Sequence, residues 1–346
     1  MARRVGPRRR SVNGAYIVAG VFAAVLVIGA LYRLDLVGGG GSGGPVETND
    51  VNVAEVSIPA MGEVNVAQVG PAVAVEPNIG GGERRGEPNV PADAGAAALI
   101  AEAMTLINAG GERIIQARDK LNDALRMNLS PRQRAVVKAQ LRRLSEQWLF
   151  SKTFFAGDRL CGSYLVQPGD LLSTIGKRFK VPYELLMEIN KISRPEALRA
   201  GARIKVVNGP FHLKVYRSSF TMDVYLRDTY VTSFPVGLGE PGRQTPVGLW
   251  RIKAGGKIPQ PVYTDPDTGE VIHPEDPEYP LGSRWMELEG MDENTRDKKG
   301  FGIHGTKEPE SIGRASSRGC IRLHNGDAIR VYNLVVPVDS TVEVIE

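Results

Sequence analysis

Residues 302–325 read GIHGTKEPESIGRASSRGCIRLHN: a His304-Gly305-Thr306, then a Ser317-Arg318-Gly319-Cys320-Ile321-Arg322. A cysteine is a nucleophile only as its thiolate, and a neighbouring imidazole both lowers its pKa and accepts its proton. Cys320 follows His304 by 16 positions, so a short loop that folds back would bring the two together. Taken singly, each reads equally as a buried thiol or a structural histidine. A zinc site needs three or four ligands at regular spacings. His304, Cys320 and His324 have no Cys-X-X-Cys or His-X-X-X-His partner, so neither a metal nor another cofactor is expected.

The chain around this stretch has 346 residues, enough for two or three modules. Its 42% hydrophobic and 24% charged content is that of ordinary globular protein. The net charge of +4 is mild and comes partly from N-terminal arginines, so no nucleic-acid partner is indicated. Cys161 and Cys320 are the only cysteines, which excludes a disulfide framework. A bond between them would consume the candidate nucleophile, so both are expected as free thiols, Cys161 as an inert small residue.

Residues 1–36 combine Arg3, Arg4, Arg8, Arg9 and Arg10 with an uncharged run over 15–31. At about 1.5 Å per residue such a run approaches the ~30 Å bilayer core. Basic residues ahead of a span hold the N-terminus inside. Tyr32-Arg33-Leu34-Asp35-Leu36 follows, where a cleaved signal peptide would show small residues. The expectation is a single-pass anchor in the cytoplasmic membrane, with the remaining domains on the outer, cell-wall side. Residues 37–92, rich in Gly, Val, Asn and Pro, read as a disordered linker that supplies reach.

Residues 93–150 read as helical. Leu99, Ala103 and Leu106 mark a first helix; Ile114, Ala117, Leu121 and Leu125 a second. Ser130-Pro131 opens a third, with Val136, Leu141 and Leu144 on one face. The pattern weakly resembles a tetratricopeptide-like hairpin. One repeat cannot stack a solenoid, so a spacer or packing collar is expected ahead of a partner-binding site.

Residues 162–208 alternate in a short strand at 164–166, turn at Pro168-Gly169-Asp170, show helical spacing over 173–179 and 183–190, and return in a strand through Ile204 and Val206. With Leu172, Ile175, Phe179, Val181, Leu186, Asn190, Ile192, Leu198 and Gly201, this βααβ unit resembles a LysM domain. The resemblance implies binding of N-acetylglucosamine-containing glycan strands, with contacts expected at Gly169, Asp170, Leu171 and Asn190. The competing reading is that Pro168, Gly169 and Asp170 only shape the turn.

Residues 210–346 hold period-two strands at 213–216 and 222–225 and further strands at 231–237, 248–253 and 340–345. The stretch 302–325 resembles the catalytic signature of the L,D-transpeptidases of YkuD type through His304, Gly305, Thr306, Ile312, Gly313, Ser317, Gly319, Cys320, Ile321 and Arg322. Phe234-Pro235-Val236-Gly237, Thr245-Pro246-Val247-Gly248 and Tyr279-Pro280-Leu281-Gly282 extend the match. Many members carry His where this chain has Arg318. The implied fold is a mostly-β sandwich or barrel-like domain with a helix after the cysteine, at 326–334. The Pro- and acid-rich 258–279 reads equally as a lid and as a plain insertion.

What the resemblance implies for chemistry is specific. Cys320 is the nucleophile that attacks the carbonyl of the third residue of a peptidoglycan tetrapeptide stem and releases D-Ala. His304 is the base, and the Gly305 carbonyl orients its ring. The amides of Gly319 and Cys320 form an oxyanion hole, worth ~3 kcal/mol per donor. Arg322 either grips a stem carboxylate or pairs with an internal acid such as Asp327. Ser317 bonds substrate or holds its turn, and Thr306 is placed on the substrate side. An amine acceptor gives a 3-3 crosslink and water gives a carboxypeptidase. A non-catalytic LysM wall-anchoring protein is the third reading. Expected partners are stem peptides, glycan strands and, through the N-terminal helix, the membrane; the oligomeric state is not legible.

Overall fold

A computed structural model describes residues 93–346, so the expected anchor (1–36) and linker (37–92) lie outside the described residues. Among the described residues no helix is long and apolar enough to cross a membrane. Asp93 caps α1 (Ala94–Ala109) by accepting the Gly95 N–H at 2.8 Å, and Gly110 in the left-handed region ends it. The second helix, α2 (Arg113–Arg126), buries Ile114, Ala117, Leu121 and Leu125. At α3 (Pro131–Trp148), Ser130 and Gln133 form a reciprocal capping box around a first-turn proline. Its buried stripe is Val137, Leu141, Leu144 and Trp148. Val136, expected on that face, is exposed. The reason is periodicity: Val137 precedes Leu141 by one turn of four residues, whereas Val136 is one position out of register.

The next unit runs β1 (Cys161–Leu165), α4 (Leu172–Phe179), α5 (Tyr183–Asn190) and β2 (Arg203–Val207), with β1 antiparallel to β2. Ile175, Leu185, Leu186 and Ile189 fill the space between the helices and the strand pair. Lys205, on β2, is only 1% exposed. Its Nζ donates to the carbonyls of Trp148, Ser151 and Thr153 at 2.6, 3.0 and 2.6 Å. These oxygens lie at and just past the end of α3, where helical carbonyls lack partners and the dipole favours a cation. Burial pulls the lysine's pKa down, yet the three acceptors keep the ammonium matched.

The remaining strands are β3 (Phe211–Tyr216), β4 (Thr221–Leu226), β5 (Thr229–Pro235), β6 (Leu238–Gly239), β7 (Gly248–Ile258), β8 (Tyr263–Thr264), β9 (Val271–Ile272), β10 (Trp285–Gly290), β11 (Gly302–His304), β12 (Ala315–Ser317), β13 (Ile321–Arg322) and β14 (Thr341–Ile345), with α6 (Asn325–Tyr332) after β13. Eight of them form one mixed sheet in the order β13-β11-β10-β7-β14-β3-β4-β5. The expectation of a sandwich or barrel resolves into a single curled sheet. Its edges are joined by one bridge: Gly237, just past β5, donates to Arg322 O at 2.9 Å and accepts the Arg322 N–H at 2.8 Å. A Cβ on Gly237 would sit 2.7 Å from Ser311 O, so only glycine permits this closure. The stretch 258–279 contains the β8–β9 hairpin.

The helices pack on β4 and β5. Asn122 of α2 accepts the Tyr230 N–H at 2.8 Å. Lys138 of α3 reaches the fully buried Asp223 carboxylate at 2.6 Å, which also accepts from Ser233 Oγ at 2.6 Å. The helical region is thus a collar on the sheet, held by polar groups that would be costly if left alone.

Replacing Lys205 by Met keeps the apolar stem but strips the donor from the end of α3. The expected cost is about 3 kcal/mol, read as a lowered urea midpoint at unchanged slope.

Candidate active site

Strands β11 and β13 run parallel, with Ile303 opposite Ile321 and His304 opposite Arg322. Both isoleucines are fully buried in the core. Side chains alternate faces along a strand, so His304 and Arg322 project the other way. Cys320 precedes β13 by one residue and falls on that same face, level with Gly302. His304 is its diagonal neighbour across the two strands. Gly302, level with Cys320, brings no side chain to this face, and a Cβ there would meet the Trp285 ring at 2.5 Å. The Trp285 indole instead lies against the imidazole, centroids 5.7 Å apart.

His304 is buried, and its Nδ1 lies 2.5 Å from Gly305 O. A carbonyl only accepts, so Nδ1 carries the proton and Nε2 presents a lone pair. Burial, with the nearby Arg322 cation, pulls the pKa of His304 down to about 4 against the smaller opposing effect of the Gly305 contact. Cys320 keeps some contact with solvent, although protein surrounds it densely. Its Sγ points to Gly300 O at 3.6 Å. Desolvation raises its pKa, opposed by the Gly302 amide and Arg322. At neutral pH the resting pair is therefore a thiol and a neutral imidazole.

The loop after His304 is clamped by Asn325, at the start of α6. Asn325 Oδ1 accepts the Ser283 N–H at 3.0 Å and the Thr306 N–H at 3.2 Å, while Nδ2 donates to Thr306 O at 3.0 Å. The amide approaches so closely that a Cβ on Gly305 would lie 2.2 Å from Oδ1, and one on Gly282 2.1 Å. Sequence reasoning passed over Asn325 and Trp285. The glycines of Pro280-Leu281-Gly282 and His304-Gly305 were the available signal, since each marks a place where something comes too near for a side chain.

Several expected site residues are engaged elsewhere. Thr306, placed on the substrate side, is buried, and its Oγ1 accepts the Glu308 N–H at 3.0 Å, shaping the loop. Ser317 is also buried, donating to Cys320 O at 2.6 Å and accepting the Gly319 N–H at 3.1 Å. It therefore holds the turn that carries Cys320, and of the two amides expected in an oxyanion hole, that of Gly319 already has an acceptor. Gly319 O accepts from Thr245 Oγ1 at 2.8 Å. Its glycine character follows from φ +117° and from Phe301, whose ring a Cβ would meet at 2.8 Å. Arg322 pairs with Glu308 at 2.8 Å, in place of Asp327.

Two of the expected glycan contacts change in the same way. Both ends of the buried Asn190 amide are taken by backbone: Oδ1 by the Lys205 N–H (2.7 Å), Nδ2 by Leu186 O and Lys205 O. Asp170 Oδ2 accepts from Tyr164 Oη and the Gln167 N–H, both at 2.8 Å, and so shapes its turn. Gly169, at φ +86°, and Leu171, 61% exposed, remain on the surface. Among the described residues no group of three or more His, Cys, Asp or Glu is placed to hold a metal ion.

The sequence matches the L,D-transpeptidase catalytic domain (YkuD) over residues 210–344 and the LysM domain over residues 164–207. It is 31% identical to the putative L,D-transpeptidase YkuD of Bacillus licheniformis over 179 residues, 50% of this chain and 92% of that protein. The Bacillus subtilis YkuD is 30% identical over 180 residues, 50% of this chain and 93% of the relative. The chain belongs to the YkuD family of L,D-transpeptidases, and it carries a LysM domain ahead of the catalytic domain. A solved L,D-transpeptidase from Mycobacterium smegmatis overlaps 42% of this chain and 64% of its own at 19% identity, with a TM-score of 0.31.

The lowered pKa of His304 has a signed consequence for stability. Between pH 6.5 and about 4 the unfolded chain binds a proton that the folded site refuses, so stability falls as pH drops through that window. The expected loss from this group is on the order of 3 kcal/mol. Urea melts of wild type and His304→Gln at pH 6.5 and 4 measure it as a difference, which should vanish if the imidazole protonates freely in the fold.

Proposed function

We propose that the protein is a cysteine-dependent L,D-transpeptidase of the cell wall. The observation that carries this reading is the parallel β11–β13 register, which sets His304 and Cys320 on one face with Nδ1 tied to Gly305 O. As Sγ bonds to the carbonyl carbon of the third stem residue, the thiol proton passes to His304 Nε2. The tetrahedral intermediate collapses as the C–N bond to D-Ala breaks, and Nε2 returns the proton to the leaving amine. A thioester remains on Cys320. The amine of a second stem then displaces the thiolate to give the 3-3 crosslink, and His304 shuttles the proton again.

A neutral resting pair fits this cycle. The base accepts a proton only while a bond is forming, so the thiol is not spent on stray electrophiles before substrate arrives. In this reading the Cys320 amide meets the oxyanion, and the Gly319 amide joins it if Ser317 releases it. Arg322 takes a stem carboxylate by exchanging it for Glu308, whose partly exposed side chain gives the pair little net worth to displace. The LysM domain docks on glycan through the surface of its first turn, around Gly169 and Leu171. A membrane anchor and linker ahead of the folded part fix the enzyme on the outer side of the cytoplasmic membrane. Tethering to a polymeric substrate raises local concentration, so weak glycan binding suffices.

Disaccharide-tetrapeptide muropeptides incubated with the protein are expected to lose D-Ala and yield a 3-3 dimer by mass. Cys320→Ala should abolish both products, and His304→Gln should slow acylation by about 10²–10⁴-fold. Loss of D-Ala with tripeptide alone identifies a carboxypeptidase. No product, together with retention on isolated sacculi, identifies a wall-binding protein.

A further inference from the structure

The 258–279 stretch reads from sequence as lid or insertion, and its contacts distinguish the two. Arg318, two residues before Cys320, reaches the β8–β9 hairpin with both arms of its guanidinium. Nη1 lies 2.7 Å from Asp265 Oδ2 and 3.3 Å from Tyr263 Oη, and Nη2 lies 3.1 Å from Asp267 Oδ2. Arg243 adds a 3.3 Å contact to Asp267. Asp265 is set for this role by its own turn. Its Oδ1 accepts the N–H groups of Asp267 and Thr268 at 2.8 and 3.1 Å, leaving Oδ2 to face the guanidinium. Tyr263, on β8, is thereby held to the turn that carries Cys320 through its contact with Arg318. Farther along the same stretch, Glu278 pairs with Lys307 in the loop that follows His304. The stretch is pinned to both halves of the catalytic sequence, which a plain insertion has no reason to be.

We propose that Arg318 is a positioning residue that latches the β8–β9 hairpin beside Cys320 and so sets how widely the cleft opens at the thiol. The consequence for products rests on the acyl transfer proposed above. With the hairpin open, water takes the acyl group from Sγ and leaves a carboxylic acid and the thiol. With it latched, water is held back and an amine on a slender peptide stem takes the acyl group, leaving an amide and the thiol. A lysine cannot replace the latch fully, because a point charge does not bridge two carboxylates as a planar fork does.

Labelling of Cys320 tests the latch without any substrate. Rates for iodoacetamide and for a bulky polyethylene-glycol maleimide are compared at pH 9 on the full chain, with the label located by peptide mass; buried Cys161 serves as an internal control. Arg318→Ala and Asp265→Ala are each expected to raise the bulky-to-small rate ratio about fivefold, with Arg318→Lys between them and wild type. The double variant should add nothing beyond either single one, as expected for two residues of one contact. Salt at about 0.5 M should raise the wild-type ratio, since partly exposed pairs are screened. An unchanged ratio in both single variants overturns the proposal, as does an equal rise for both reagents, which would mean altered thiol reactivity in place of altered access. Asp265→Asn, isosteric and on the hairpin side of the contact, keeps the test valid if Arg318→Ala unfolds. A latch confirmed by labelling, with no acyl transfer to muropeptides, would leave this inference standing while the proposed activity fell.

Discussion

The site depends on the pairing of β11 with β13, because β11 ends on His304 and Cys320 immediately precedes β13. Parallel strands joined by a tight turn are not possible, so the chain between them must leave the sheet and return. Residues 305–320 make that excursion, through the Thr306 loop, a turn at Pro309–Ser311 and β12. The return is held at the far edge by the Gly237–Arg322 bridge. Without that bridge β13 would be a two-residue edge strand paired with β11 on one side only. Closure of the sheet and placement of Cys320 are therefore one structural event.

Burial then decides the charge state. A Cys–His pair can rest as thiolate and imidazolium, and here two effects oppose that. Dense protein around His304 drives its pKa to about 4, and desolvation raises that of Cys320. Arg322 lies near both and divides its effect, favouring the thiolate while disfavouring the imidazolium. The Glu308 carboxylate pairs with the same guanidinium at 2.8 Å.

Elsewhere the fold joins its parts with matched buried polar groups. Lys205 ends α3, and Lys257 does the same for α6, its Nζ donating to Tyr332 O at 2.6 Å and Val335 O at 2.8 Å. Asp223 receives Lys138, and Asn122 receives the edge of β5. Each such contact is directional, so it fixes how the helices, the LysM unit and the sheet meet, where apolar packing alone would tolerate sliding.

Much of this was legible in the sequence. Helical periodicity marked α1 to α3, capping residues marked the start of α3, and alternation marked β3 and β4, because these depend on residues close together in the chain. His304 and Cys320 stood out as a candidate pair through the signature that the stretch 302–325 shares with YkuD-type enzymes. The residues that the sequence left open or placed beside a ligand share a feature. Thr306, Ser317, Asp170 and Asn190 are polar residues beside loops, and composition does not say whether a hydroxyl or amide faces a ligand or a backbone group. Arg322 was left open between a ligand and an internal acid because its acid, Glu308, belongs to a loop whose path is set by the sheet. The sequence by itself determined which groups could react. Tertiary structure decided which polar groups were already committed, which charge states the reactive pair adopts, and that Arg318 reaches the hairpin, since each depends on residues brought together only when the curled sheet closes.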